Sequence, residues 1–154
     1  MINLDKEKTC GVTGHRDLSN SFDKKKLYSL FEELINNGKE NFLIGMAIGF
    51  DTVCFQTLEK LKKTYNIKLI ACIPCPEQDK FFNFFQKREY KRMLSVADEK
   101  VILSEEYTPY CMFKRNKFIV DNSGVLVAYL RENKGGTFST VKYAKEKNKQ
   151  ILYI

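Results

Sequence analysis

The sequence predicts one doubly wound, Rossmann-like α/β domain, its mainly parallel sheet covered by helices on both faces. Three observations carry that prediction. Short, near-continuously apolar runs alternate with amphipathic stretches along the whole chain, the pattern of parallel strands buried on both sides. The length, 154 residues, suits one domain with one sizeable core. No linker, repeat or low-complexity segment divides residues 1–154. Right-handed crossovers between the strands then give the doubly wound arrangement.

The elements follow in order. Thr9 to Thr13 is a short apolar run ending at Gly14. Residues 21–37 read as a helix, with Phe22, Leu27, Leu30, Phe31 and Leu34 at helical spacing and Gly38 as the stop. Residues 41–45 form a second strand and residues 51–65 a second helix, whose face carries Val53, Cys54, Leu58 and Leu61. A third strand, Ile67 to Ile73, is halted by Pro74 and Pro76. The second half repeats the rhythm: helix 87–97, strand 100–103, helix 110–121 behind Pro109, strand 125–130, helix 137–147 and strand 150–154.

Composition narrows the class. Hydrophobic residues make up 44% and charged residues 29%, which excludes a disordered or collagen-like chain. No apolar stretch reaches the roughly 18 residues of a membrane helix, and the first residues lack a signal peptide's apolar core. The expected location is the cytoplasm, with no membrane partner. The net charge of +7 raises the question of a phosphate-bearing partner, nucleotide or nucleic acid, without choosing between them. The lysine clusters at 24–26, 60–63 and 142–149 read as solvated helix faces.

The cysteines are Cys10, Cys54, Cys72, Cys75 and Cys111, an odd number scattered among apolar neighbours. Cys72 and Cys75 form a C-x-x-C pair, the spacing of a redox motif or of half a zinc site. No second pair completes a zinc site, and the pair ends an apolar run rather than opening a helix. Buried strand-end thiols are the preferred interpretation, and no metal is expected.

In an open parallel sheet, ligands bind beyond the carboxyl ends of the strands. Three loops there carry unusual chemistry: residues 13–17 (Thr-Gly-His-Arg-Asp), residues 45–51 (Gly-Met-Ala-Ile-Gly-Phe-Asp) and residues 134–140 (Lys-Gly-Gly-Thr-Phe-Ser-Thr). Glycine lets backbone N–H groups lie against phosphate oxygens, and a helix starting directly afterwards adds its own. None of the three is a Walker-type loop or G-x-G-x-x-G, which disfavours P-loop ATP hydrolysis and ordinary NAD dehydrogenation. The bland alternative for Gly135-Gly136-Thr137 is a tight turn capped by Thr137.

Together, Thr13-Gly14-His15-Arg16, the 45–51 loop, Pro74-Cys75-Pro76-Glu77-Gln78, the 114–121 segment (Lys-Arg-Asn-Lys-Phe-Ile-Val-Asp) and Gly135-Gly136-Thr137 resemble the SLOG superfamily. That Rossmann-like group contains the DNA-processing protein DprA and the Lonely Guy hydrolases. The pattern looks most like the YpsA-like branch and spans nearly the whole chain. The resemblance implies that Gly45, Gly49 and Asp51 match the G-x-x-x-G-x-D loop of the DprA branch. It also implies that Arg115-Asn116 matches an active-site arginine segment, and that Gly135-Gly136-Thr137 matches a phosphate loop. Lonely Guy enzymes carry a glutamate where Thr140 stands here, so a phosphoribohydrolase reaction lacks its carboxylate.

The expected function is binding of a nucleotide, nucleotide-sugar or ADP-ribose-like ligand, as a sensor or regulatory module with no separate cofactor. Its contact residues would be Gly14, His15, Arg16, Gly45, Gly49, Asp51, Gln78, Arg115, Asn116, Gly135, Gly136, Thr137 and Thr140. Arginine forks at Arg16 and Arg115 suit phosphate, and the Asp51 carboxylate suits either a ribose hydroxyl or a helix cap. Cleavage of a nucleotide N-glycosidic bond is one alternative, with His15, Asp51 and Arg115 as candidate catalytic groups. Single-strand DNA binding in the manner of DprA is the other. Phe81, Phe82, Phe84 and Phe85 exceed what one buried helix face holds, so some must line a pocket, stack on a base or meet a second subunit in a homo-dimer.

Overall fold

The computed structural model describes residues 3–154. After a 3-10 turn at Lys6–Lys8, six strands alternate with five helices: β1 (Thr9–Gly14), α1 (Lys24–Asn36), β2 (Asn41–Ile44), α2 (Phe50–Lys62), β3 (Lys68–Ile73), α3 (Phe84–Val96), β4 (Glu99–Ile102), α4 (Cys111–Asp121), β5 (Val125–Tyr129), α5 (Gly135–Glu146) and β6 (Gln150–Tyr153). The sheet order is β4-β3-β2-β1-β5-β6. Every strand pair is parallel, so the mainly parallel sheet expected from the sequence is parallel throughout the described residues.

Helix starts explain where the sequence-based boundaries shift. α1 begins at Lys24 rather than residue 21, because Asp23 caps it by accepting from the Lys25 and Lys26 N–H groups. Phe22 therefore lies outside the helix, yet its ring still packs edge-on against Phe50 and Tyr129 at 6.0 and 5.3 Å. α3 begins at Phe84 rather than residue 87, because Asn83 and Gln86 form a reciprocal capping box. α2 is capped by Gly49, so Asp51 is not its cap. α5 begins at Gly135, which puts Thr137 inside its first turn instead of at the cap.

Two apolar layers enclose the sheet. On one face α1, α2 and α3 bury Leu27, Phe31, Phe42, Phe50, Phe55 and Leu58 with Tyr129. On the other, α4 and α5 cover Leu43, Ile70, Cys72 and Leu126. A fully buried side chain of this size contributes about 1.5–3 kcal/mol, so the larger first layer carries most of the hydrophobic stabilisation. Among the described residues, no helix is long and apolar enough to cross a membrane.

The topology positions the site. From β1 the chain steps outward to β4, and α4 then carries it back to β5 on the far side of β1. Strand order reverses between β1 and β5, where Gly14 lies in register with Tyr129. The crevice at their carboxyl ends is the ligand position of this fold class.

Candidate functional site

His15 joins the three glycine-bearing loops. Its backbone carbonyl accepts from the Phe50 N–H at 3.1 Å, which ties down the start of α2. Its Nε2 accepts from the Arg131 N–H at 2.7 Å and the Glu132 N–H at 3.3 Å. Those bonds require an unprotonated Nε2, and they hold the turn leading into α5. In the fold this histidine therefore serves as a positioning residue between loops. Gly14 beside it is a packing glycine: a Cβ there would stand 2.3 Å from the Phe50 ring. Gly49, at φ +95°, would place a Cβ 2.1 Å from the Arg16 carbonyl oxygen. Both restrictions keep the first two loops pressed together.

A closed polar cluster fills the corner between β2, β3 and α4. The Gly45 carbonyl accepts from Arg115 Nη1 and, at 2.9 Å, from Gln78 Nε2. Gln78 Oε1 accepts from the Tyr90 hydroxyl at 3.2 Å. Arg115 Nε donates to Asn116 Oδ1 at 2.7 Å, and Nη2 reaches Met112 Sδ at 3.8 Å. Asp51 Oδ2 accepts from the Ala47 N–H at 3.1 Å. Asp51, Gln78 and Arg115 are only 6–8% exposed. Burial pushes the Asp51 carboxyl up to about 6, against the pull of Arg115 and the Ala47 N–H. Burial likewise lowers Arg115. The sequence placed Arg115 on phosphate, but the fold turns its guanidinium inward, because Gly45 has no Cβ to block it.

The β5–α5 turn is the opposite kind of place. Gly135 adopts φ +89°, and no atom lies within 4 Å of a Cβ built on it or on Gly136. The α5 N-terminus has no side-chain cap and no acidic residue in its first turn. Its free N–H groups and dipole therefore face open space. Thr137 is buried, and Thr140 Oγ1 donates to the Gly136 carbonyl at 2.7 Å. That back-bond fixes the turn from beneath and leaves Thr140 without a free hydroxyl proton.

Two clefts share the walls Gln78, Phe81 and Met112. One, of about 350 Å³, also takes in Arg16, Ala47, Ile48 and Phe82. The other, of about 480 Å³, adds Cys75, Glu77, Lys80 and Tyr107. Phe81, Phe84 and Phe85 are 70–90% exposed, while Phe82 packs edge-on against Tyr90 at 5.5 Å. All five cysteines are free and buried, as the sequence suggested. Among the described residues, no three His, Cys, Asp or Glu side chains gather as a metal site.

The structure thus gathers Gly45, Asp51, Gln78, Arg115 and Asn116 into one buried cluster, and His15 with the 131–137 turn into another region. Arg16 stands exposed between them. Sequence reasoning missed Tyr90, which completes the Gln78 network, and Met46, which sits at φ +63° while buried. It also missed Arg131, whose guanidinium stacks 4.2 Å from the Tyr129 ring centroid. Tyr90 falls on the apolar face of α3, where a tyrosine with a hydroxyl to satisfy is the available signal. A methionine gives no warning of a left-handed backbone.

Comparison with known proteins agrees with this architecture. A protein from Bacillus subtilis (strain 168), described as an uncharacterized SPbeta prophage-derived protein, YoqJ, is 38% identical over 137 residues, 80% of each chain. The X-ray structure of DNA processing protein A (DprA) from Streptococcus pneumoniae superposes with a TM-score of 0.69 at 18% identity. That superposition covers 94% of this chain and 49% of the pneumococcal one. DNA processing protein A from Helicobacter pylori, whose structure is described for its single-stranded DNA binding mode, gives 0.68 at 16% identity over 96% of this chain and 65% of its own. The present chain therefore spans about half of the first protein and just under two thirds of the second, and at such identities the likeness is one of fold. The model of the YpsA family (YspA SLOG family) matches residues 6–154, and the chain belongs to that family.

Proposed function

We propose that this chain binds a phosphate-bearing nucleotide-type ligand (a nucleotide, nucleotide sugar or ADP-ribose-like molecule) at the carboxyl edge of its sheet, as a sensor or regulatory module. One observation carries the proposal: the uncapped, acid-free start of α5, opened by Gly135 and Gly136, stands beside the β1–β5 crevice. The phosphates lie on the N–H groups of residues 135–137, with exposed Arg16 alongside. The base or sugar extends toward the cleft of Arg16, Ile48, Phe81 and Met112. Arg115, steadied by Asn116, acts from behind by holding the Gly45 carbonyl.

Binding is preferred to N-glycosidic cleavage because the nearby carboxylate, Asp51, is buried and committed to Ala47. Single-stranded DNA is the second reading, favoured by the exposed Phe81, Phe84 and Phe85 and by Lys80 over the Phe81 ring.

A thermal-shift panel of AMP, ADP, ADP-ribose, UDP-glucose, NAD and oligothymidylate tests it. Saturating ligand should raise the melting temperature by about 5 °C. Gly136→Glu should abolish the shift without lowering the unliganded melting temperature. No shift from any nucleotide, or a shift that survives Gly136→Glu, overturns the proposal. A shift from oligothymidylate alone, steeply weakened by salt, selects the second reading.

A further inference from the structure

The two ring nitrogens of His15 stand in different situations. Nε2 accepts from the Arg131 and Glu132 N–H groups at 2.7 and 3.3 Å, so it carries no proton. In a neutral imidazole the proton then sits on Nδ1. Two backbone donors thus fix the tautomer, and edge-to-face packing on Tyr129, centroids 6.0 Å apart, helps to fix the ring. Nδ1 itself makes no hydrogen bond among the described residues. No buried side-chain nitrogen or oxygen among them lacks a partner, so the half-buried ring opens its one N–H to solvent.

The cations around it differ in what they can still do. Arg131 lies over the Tyr129 ring and gives Nη1 to the Leu130 and Ile154 carbonyls at 3.3 and 3.0 Å, so it is committed. Arg16, next to His15, is exposed and takes no part in the ion pairs of the described residues. Across the two loops Arg16, Arg131 and Lys134 outnumber Asp17 and Glu132, which leaves the crevice positive. Glu132 precedes Gly135 by three residues, a reach of at most about 10 Å. The His15 Nδ1–H and the uncapped N–H groups at the start of α5 are therefore two donor stations on one crevice.

We propose that His15 Nδ1–H is a fixed donor to the second phosphate of a diphosphate ligand whose first phosphate lies on residues 135–137. This rests on the proposed nucleotide site and narrows its ligand to diphosphate-bearing nucleotides. A tautomer held in this way donates at Nδ1 and cannot accept there. It suits a phosphoryl oxygen and rejects an amino group. Arg16 adds its charge to the same phosphate.

A long-range 1H–15N correlation of the unliganded chain at mildly alkaline pH reads the tautomer without any nucleotide, and the chain has a single histidine to assign. The expected result is a protonated Nδ1 and a bare Nε2. A protonated Nε2 overturns the proposal and leaves the nucleotide site standing. Calorimetric titrations with ADP and AMP then test the contact: ADP should bind about tenfold more tightly. His15→Gln keeps an amide oxygen for the Arg131 and Glu132 N–H groups but lacks the Nδ1 donor. It should bring ADP down to the affinity of AMP and leave AMP unchanged. If that variant misfolds, the unmutated chain decides, because its Nδ1 resonance should move with ADP and not with AMP. Equal affinities for the two nucleotides, or an equal loss of both in His15→Gln, overturns the proposal alone. Failure of the unmutated chain to bind any nucleotide of the thermal-shift panel overturns it together with the nucleotide site.

Discussion

The corner around Gly45 and the turn at Gly135-Gly136 share one sheet edge, and both depend on glycine, for opposite reasons. At Gly45 the protein itself fills the space: a Cβ would stand 2.9 Å from Arg115 Nη1 and 3.0 Å from Asp51 Oδ2. At Gly135 and Gly136 an added Cβ would meet only open space. The first glycine is required by internal packing. The second pair leaves room for something from outside. Buried side-chain polar atoms among the described residues all find partners, so the corner is a finished structure, whereas the α5 start still offers unpaired N–H groups.

That contrast can be broken by mutation. The largest effect is expected from Arg115→Ala, which strips the Gly45 carbonyl of one donor and leaves Asp51 buried without its countercharge. Losing a buried charge together with its hydrogen bonds to Gly45 and Asn116 costs about 4 kcal/mol, readable as a shift of the urea midpoint. Next comes Asp51. Its carboxyl titrates at about 6 in the fold against 3.8 when free, so between those values the folded chain holds a proton that the unfolded chain has released. This contribution is fully present below about pH 4 and is lost as pH rises through about 6, at a cost of about 3 kcal/mol. Asp51→Asn removes the slope. The stability difference between variant and parent should therefore move in the variant's favour from about pH 4 to pH 7, and a constant difference would refute the buried-carboxyl account.

Two matched glycine substitutions sharpen the comparison. Gly45→Ala overpacks the corner and should cost about 2 kcal/mol. Gly136→Ala meets open space inside a helix and should stabilise by up to about 1 kcal/mol. Equal losses at the two sites would erase the distinction between a packed and an open glycine. The smallest effect is expected at Tyr90→Phe, where loss of one hydrogen bond to Gln78 costs about 1 kcal/mol.

Much of the fold was legible because it is local. Apolar runs bounded by Gly and Pro marked the strands, and the heptad-like spacing of Leu27, Phe31 and Leu34 marked α1. The starts of α3 and α5 were misplaced because caps depend on single side chains, Asn83 with Gln86 in one case and none in the other. The site was legible only in part. Loop glycines and the family pattern pointed to Gly45, Asp51, Gln78 and Arg115 one by one. Their meeting was hidden, because Arg115 reaches Gly45 from another element far along the chain, and no periodicity records that contact. The same holds for His15, whose imidazole finds the Arg131 and Glu132 N–H groups across the β1–β5 crevice.

An amide-resolved NMR titration of the native chain with ADP-ribose tests the central claim most directly. Saturable shifts concentrated at Gly135, Gly136 and Thr137, absent with adenosine and absent in Gly136→Glu, are the predicted result. Shifts of equal size with adenosine, or a response that spares residues 135–137, would contradict the assignment of the α5 N-terminus as a phosphate site.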